Sequence, residues 1–390
     1  MSFRHLPSRA LIASVLATVM VSFALRGQDL READAQAMSQ EAYEALQRGN
    51  AALAVREYRQ LLEAHPEMVA ARANLATALV SLGRFDEAIA QYQMALKEEP
   101  DNSSLRFNLA LACFRKGDYL QAAQRFGTIH NGEPNNVRIA TLLANCELHL
   151  RQVAQAIALL KPLEKSHPNN LDLEWILGMA LIRAAHPREG LERVQKVADR
   201  GYKAEAYELA AVVYMGLTDF DKARSDAEAA IRIDPHASNA YLTLAMLDGY
   251  SGDENGAAEE YEKALKANPQ NLQARTQLGI IFYNQRKLDD ARQQFNEALA
   301  LNPRSLLTLY ELARVERAQE HLGTAVKDLE SCVHEDPQWL PPHIELAALY
   351  YILKRPQEGA KEKAIVQRLM AEKQQHGPEP SVTGSLPPSP

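Results

Sequence analysis

Apolar residues recur along the chain at the three- and four-residue intervals of amphipathic helices, in segments of about a dozen residues separated by short polar turns. The segments come in pairs, and the pairs repeat. Leu75-Ala76, Leu109-Ala110, Leu143-Ala144 and Leu177-Gly178 are each 34 residues apart. Prolines keep the same interval at Pro66, Pro100, Pro134 and Pro168, and again at Pro235, Pro269, Pro303 and Pro337, with 67 residues between the two series. A fixed period of this length predicts a solenoid of helix–turn–helix units, in which proline ends one helix and shapes the turn into the next.

Setting each proline at position 32 predicts ten repeats, beginning at residues 35, 69, 103, 137, 171, 204, 238, 272, 306 and 340. Positions 8 and 20 are then Ala or Gly in every repeat, from Ala42 and Ala54 to Ala347 and Gly359. Helices cross closely only where side chains are small, so these columns are the expected contact points within each hairpin. Position 24 carries larger apolar groups, including Tyr58, Tyr92, Phe126, Tyr261 and Phe295. Turns such as Gly83-Arg84-Phe85-Asp86 and Gly117-Asp118-Tyr119 place glycine at the end of the first helix.

This period, with small residues at 8 and 20, an aromatic at 24 and proline at 32, resembles the tetratricopeptide repeat. The resemblance covers residues 35–373. It implies an all-α, right-handed superhelical solenoid that holds proteins or peptides on its concave face. Three departures stand out. Repeat 5 is one residue short and has Gly201-Tyr202 where proline is expected, which predicts a weak joint. Position 11 is acidic at Glu147, Asp248 and Glu316. Repeat 10 has Lys363 at position 24 amid charged residues, as suits a terminal cap facing water.

The ends follow other rules. Arg4 and Arg9 precede an apolar run from Ala10 to Leu25, and Ser22 and Ala24 are small residues at the −3 and −1 places of a cleavage site. Residues 1–24 therefore read as a secretory signal peptide, with a mature chain from Leu25 and a linker over 25–34. The alternative is an uncleaved single-span anchor, with Arg26 at its outer edge. Either way the basic side stays in the cytoplasm and the repeats lie outside it, in the periplasm or secreted. Residues 374–390 hold five prolines and no aromatic residue and read as a disordered tail.

Composition narrows the function. A net charge of -7 spread along the chain argues against a nucleic-acid binder, which would show a basic face. No phosphate-cradling loop, nucleophile elbow or zinc-protease pattern occurs, so no catalytic residue, cofactor, metal or small-molecule substrate is expected. Ser251, Asp253, Asn255, Gly256 and Glu262 have the spacing of a calcium loop, but Ser replaces its first carboxylate and the segment doubles as the turn of repeat 7. Cys113, Cys146 and Cys332 form no disulfide framework. Cys113 and Cys146, on neighbouring first helices, read either as a facing pair or as two small buried hydrophobes.

In this fold, positions 2, 5, 9, 12 and 13 of the first helices line the concave surface. Across repeats 3 to 5 they bring Phe107, Leu111, Phe114, Arg115, Arg138, His149, Trp175, Met179 and Arg183 into one stripe, the aromatic, Met and Arg mixture of an interface core. Phe107 and Trp175 read either as groove residues or as packing between repeats. Leu148 and Ile182 read as packing. Asn74 and Asn108, at position 6, match an asparagine ladder that in some family members bonds a bound peptide backbone. A tyrosine-bearing stripe of Tyr250, Tyr283 and Tyr310 is the alternative surface. Protein or peptide partners are expected, with membrane contact only if the N-terminal segment is retained. The expected role is a scaffold or adaptor of the cell envelope or extracellular space. The alternative is a membrane-anchored structural subunit of an export or polysaccharide-secretion complex.

Overall fold

A computed structural model describes residues 34–201 and 203–376, so the signal segment and the tail beyond His376 lie outside the described residues. The described residues are all-α and divide between Ala185 and His186 into two compact units. The first contains α1 (34–47), α2 (Ala51–Ala64), α3 (Val69–Ser81), α4 (Phe85–Glu98), α5 (Ser103–Lys116), α6 (Tyr119–Gly132), α7 (Val137–His149), α8 (Val153–Glu164) and α9 (Leu171–Arg183). The second contains α10 (Pro187–Asp199), α11 (Ala204–Gly216), α12 (Phe220–Ile233), α13 (Ser238–Ser251), α14 (Glu254–Ala267), α15 (Leu272–Asn284), α16 (Leu288–Leu301), α17 (Leu306–Ala318), α18 (Leu322–Glu335), α19 (Leu340–Ile352) and α20 (Pro356–His376). Odd-numbered helices are the first helices of the repeats and even-numbered ones the second. Within each unit consecutive helices pack on one another, the arrangement of a helical-hairpin solenoid.

The small-residue columns are the hairpin contacts. Position 8 is buried in nine repeats and half-buried at Ala347, and position 20 is buried in all ten. At Gly279 a Cβ would come within 2.6 Å of the Phe295 ring, which is itself fully buried, so glycine there is a steric requirement. The position-24 rings of Tyr58 and Phe126 are likewise sealed in the core. Lys363, at the same position of the last hairpin, is exposed, as a cap requires.

Capping explains the residues that follow each proline. Asn102, Asn136, Asn170 and Asn271, each two residues after a proline, accept a hydrogen bond from the backbone N–H three residues on and so start α5, α7, α9 and α15. Asn50, Asp118, Asp219 and Asp253 do the same for α2, α6, α12 and α14. Each such cap contributes about 1 kcal/mol.

The proline has a further partner that residue identity conceals. Its carbonyl accepts a hydrogen bond from the position-4 side chain six residues later. Arg72 Nη2 donates to the Pro66 carbonyl at 2.7 Å, Arg106 Nε to Pro100 at 2.9 Å and Arg275 Nη2 to Pro269 at 2.8 Å. The Tyr241 hydroxyl reaches Pro235 at 3.5 Å, and His343 Nε2 lies 3.2 Å from the Pro337 carbonyl. Arg, Tyr and His share only a donor at suitable reach. In these five repeats that donor ties the repeat to the turn before it, whereas repeats 4, 5 and 9 carry Ala140, Glu174 and Leu309 at that position.

The turn inside each hairpin departs from expectation. The residue at position 15 has positive φ in all ten repeats, but glycine occupies it only at Gly49, Gly83, Gly117 and Gly252. Arg151, Ala185, Thr218, Arg286, Glu320 and Lys354 fill the others at φ of 57 to 64°. Chain length between the two packed helices, not residue type, sets this geometry. At the C-terminus α20 continues to His376, three residues beyond the expected end of the repeats at 373.

Candidate partner-binding surfaces

The stripe foreseen in repeats 3 to 5 is assembled by α5, α7 and α9. Phe107, Leu111 and Phe114 lie half-buried, one side on the core that includes Leu109 and Phe126. Phe107 meets the Phe126 ring edge-on at 6.0 Å, and the Arg138 guanidinium lies over its other side, 4.5 Å from the ring centroid. Phe114 touches Tyr119 at 5.6 Å and His149 at 6.4 Å, and Tyr119 and His149 stack at 3.9 Å. Burial, and then the Arg183 charge, hold the His149 pKa below its ordinary value, so the imidazole is neutral at pH 7. Arg183 Nη1 donates to the Leu148 carbonyl at 3.2 Å. Trp175 and Met179 are half-buried against Leu173 and Leu177. Leu148 and Ile182 are buried, so they pack between repeats.

Phe107 and Trp175 therefore answer to both expected readings, each with part of its side chain on the core and part outside it. Arg138 and Arg183 already make contacts of their own, whereas Arg115 is exposed. The two asparagines separate. Asn74 is half-buried beside the Tyr58 phenol of the preceding repeat, and Asn108 is half-buried one repeat further on.

In the second unit Tyr250 is 68% exposed and stacks at 5.6 Å on Phe220. Arg314 lies over both Tyr283 and Tyr310, at 4.5 and 5.9 Å, while its Nη1 bonds Glu311 at 2.7 Å. Tyr310 also touches Trp339 at 5.2 Å. Beside Tyr250 opens a cleft of about 340 Å³ between α13, α14 and α15.

The remaining candidates have structural partners. Asp253 Oδ1 accepts from the Gly256 N–H as the cap of α14, and Asn255 Oδ1 accepts from Gln285, so two of the calcium-spaced residues serve the turn. Among the described residues no group of three or more His, Cys, Asp or Glu side chains converges as metal ligands. The acidic position-11 residues differ: Asp248 pairs with Arg224 at 2.6 Å, Glu316 with His321 at 2.6 Å, and burial raises the pKa of Glu147. Cys113, Cys146 and Cys332 are free and buried, and burial pushes the thiols of Cys146 and Cys332 up to about 12. No helix among the described residues is long and apolar enough to cross a membrane.

Stacked hairpins with small-residue contacts and first-helix stripes define a helical-repeat protein. Models of the tetratricopeptide repeat match residues 39–102, 73–129, 242–305, 114–175 and 204–236, more than half of the sequence, and the chain belongs to that family. A tetratricopeptide repeat protein from Parabacteroides merdae superposes with a TM-score of 0.54 at 15% identity, over 64% of this chain and 98% of that one. PilF of Pseudomonas aeruginosa is 22% identical with a TM-score of 0.40, over 44% of this chain and 78% of its own. Human IFIT1, as a dimer with m7Gppp-AAAA, is 15% identical with a TM-score of 0.49, over 85% of this chain and 89% of its own. The first shows a shared fold. No curated protein matches the sequence.

Proposed function

We propose that the chain is a non-enzymatic scaffold, exported from the cytoplasm, that holds segments of protein partners against its first-helix stripes. The observation that carries this reading is the half-buried run of Phe107, Phe114, Trp175 and Met179 with Arg115, Arg138 and Arg183 among them. Side chains already held half-buried against a rigid core lose little freedom when a partner covers them. The export half of the proposal is supported by the basic start, short apolar run and small −3 and −1 residues of 1–24.

Phe107→Ala and Trp175→Ala, compared with the parent in capture from the native envelope followed by mass spectrometry, test the binding half. Loss of an aromatic anchor costs about 2 kcal/mol or more of partner affinity. Phe107 touches the buried Phe126, so its variant melts somewhat lower but folds. Undiminished capture by both folded variants refutes the stripe. Intact mass of the exported protein tests the other half: a chain beginning near Leu25 supports cleavage. A full-length species in the membrane fraction refutes it and favours an anchored subunit of an envelope machine.

A further inference from the structure

The cleft in the second unit arises from one residue. Position 12 of the first helix carries a bulky side chain in the other repeats, such as Leu148, Ile182, Met215 and Tyr283, but in repeat 7 it is Gly249. A Cβ at Gly249 meets no atom within 4 Å, so the missing side chain is left as open space about 340 Å³ in volume.

Two groups in that space point to a ligand. Tyr261 lines it with its ring buried, while its hydroxyl reaches the open space and makes no hydrogen bond among the described residues. The equivalent phenols are satisfied: Tyr92 pairs with Thr77 at 2.8 Å, and Tyr58 donates to the Ser39 carbonyl at 3.5 Å. In repeat 7 the residue at the place of Thr77 is Met246, which cannot do this. A phenol at the wall of a cleft can both donate to and accept from whatever occupies it. Burial pushes the Tyr261 pKa up to about 12, so the phenol is neutral. The second group is Glu254, an exposed residue of the lining at the start of α14 that makes no ion pair among the described residues.

The rest of the lining sets the ligand chemistry. Gln273 and Gln277 add amides that can accept as well as donate, Met246 and Ile281 add apolar wall, and no Lys, Arg or His takes part. A site with one carboxylate, several neutral acceptors and no cation repels acidic groups and suits a long side chain with a flat cationic end. We propose that this cleft takes an arginine side chain of a partner segment. The stem lies along Met246 and Ile281, and the guanidinium donates to the Tyr261 oxygen, the glutamine carbonyls and Glu254. This rests on the scaffold reading and names the chemistry of what one part of the scaffold holds.

The test uses the full chain with 13C-labelled Met and Ile methyl groups, titrated with N-acetyl-arginine amide and, separately, N-acetyl-norleucine amide and N-acetyl-glutamate amide. The arginine probe is expected to shift the Met246 and Ile281 methyl signals saturably, with the other two binding at least about tenfold more weakly. Gly249→Leu fills the cleft and abolishes the response. Glu254→Gln weakens it about fivefold and Tyr261→Phe about threefold, each in a folded chain, so the reading does not hang on one variant. It is overturned if arginine gives no saturable shift, if norleucine or glutamate binds as well, or if the response survives in folded Gly249→Leu. The titration needs no natural partner and does not involve Phe107 or Trp175. It can fail while capture through those residues persists, or succeed while that capture fails.

Discussion

Replacing Thr218 with glycine should stabilise the protein, although the substitution removes a side chain and adds no contact. Thr218 sits in the hairpin turn of repeat 6 at φ of 62°, where a Cβ crowds the following carbonyl. That conformation costs an L-residue about 1–2 kcal/mol, and a β-branched residue tolerates it least. Glycine removes this strain but has more freedom to lose on folding, which returns about 0.4–1 kcal/mol. The exposed Thr218 hydroxyl bonds only the neighbouring Leu217 carbonyl, so its loss counts for little. The net gain is about 1 kcal/mol at Thr218 and about 0.5 kcal/mol at Arg151, Ala185, Arg286, Glu320 and Lys354. Treated as independent sites one repeat apart, all six changes together should add to about 3.5 kcal/mol. Urea unfolding followed by circular dichroism measures this as a shift in midpoint for each single variant and for the sixfold variant. The mirror experiment is Gly252→Ala, at φ of 85°, where a new Cβ meets nothing within 4 Å and the penalty is purely conformational. It should lose about 1 kcal/mol. If Thr218→Gly is neutral while Gly252→Ala is harmless, backbone strain at position 15 is not a term in the stability of these hairpins.

Gly279→Ala should destabilise by about 1–3 kcal/mol, because its Cβ would enter the space of the Phe295 ring; a melting temperature equal to the parent's would mean that the hairpin relaxes freely there. Burial, with Asp199 in one case and Glu316 in the other, raises the pKa of Asp226 and Asp328 to about 6. A folded-state pKa above the unfolded one favours the fold at low pH and is lost as pH rises through about 6. Asp226→Asn and Asp328→Asn should therefore each stabilise by about 1 kcal/mol at pH 7.5, after allowing for solvent around these half-buried groups, and by nothing at pH 4, as urea midpoints at the two pH values would show. Amide exchange away from the outermost repeats should open earliest over residues 185–204, where Ala185 and Gly201 both have positive φ and neither His186 nor Lys203 caps its helix with a side chain. Uniform protection there would refute a weak repeat 5.

The solenoid was legible because close helix contact tolerates few residues. A column that must be small shows itself as Ala42, Ala76, Ala110 and Ala144 whatever else varies, and a turn that starts with proline shows its period directly. Contacts defined by reach were not legible. Arg72, Tyr241 and His343 look unrelated until their shared proline-carbonyl bond is seen. The turn at position 15 misled in the opposite way, since Gly83 and Gly117 suggest a glycine rule that Thr218 and Arg286 break. In the groove, sequence placed Phe107, Phe114 and Trp175 on one stripe. It did not show that Arg138 covers the Phe107 ring or that Asn74 lies beside the Tyr58 phenol, because those contacts join residues of adjacent repeats whose rotamers the pattern does not encode.

The groove owes its variability to the constancy of the rest. Positions 8 and 20 are fixed by the approach of two helices, and a change there is felt by the whole hairpin. Position 12 is bounded by the second helix of its own hairpin and by the next repeat, so a substitution alters one local interval of the surface and leaves the other repeats as they were. Leu148 and Gly249 mark the two extremes. The leucine is buried and closes the surface between its neighbours, whereas the glycine leaves a cleft onto which the Tyr261 hydroxyl opens. What that cleft selects is then set by residues of the following helix, Gln273 and Gln277, which the packing columns do not constrain. Single substitutions at position 12 can thus open or close a site, and substitutions at positions 2 and 6 of the next repeat can change its ligand.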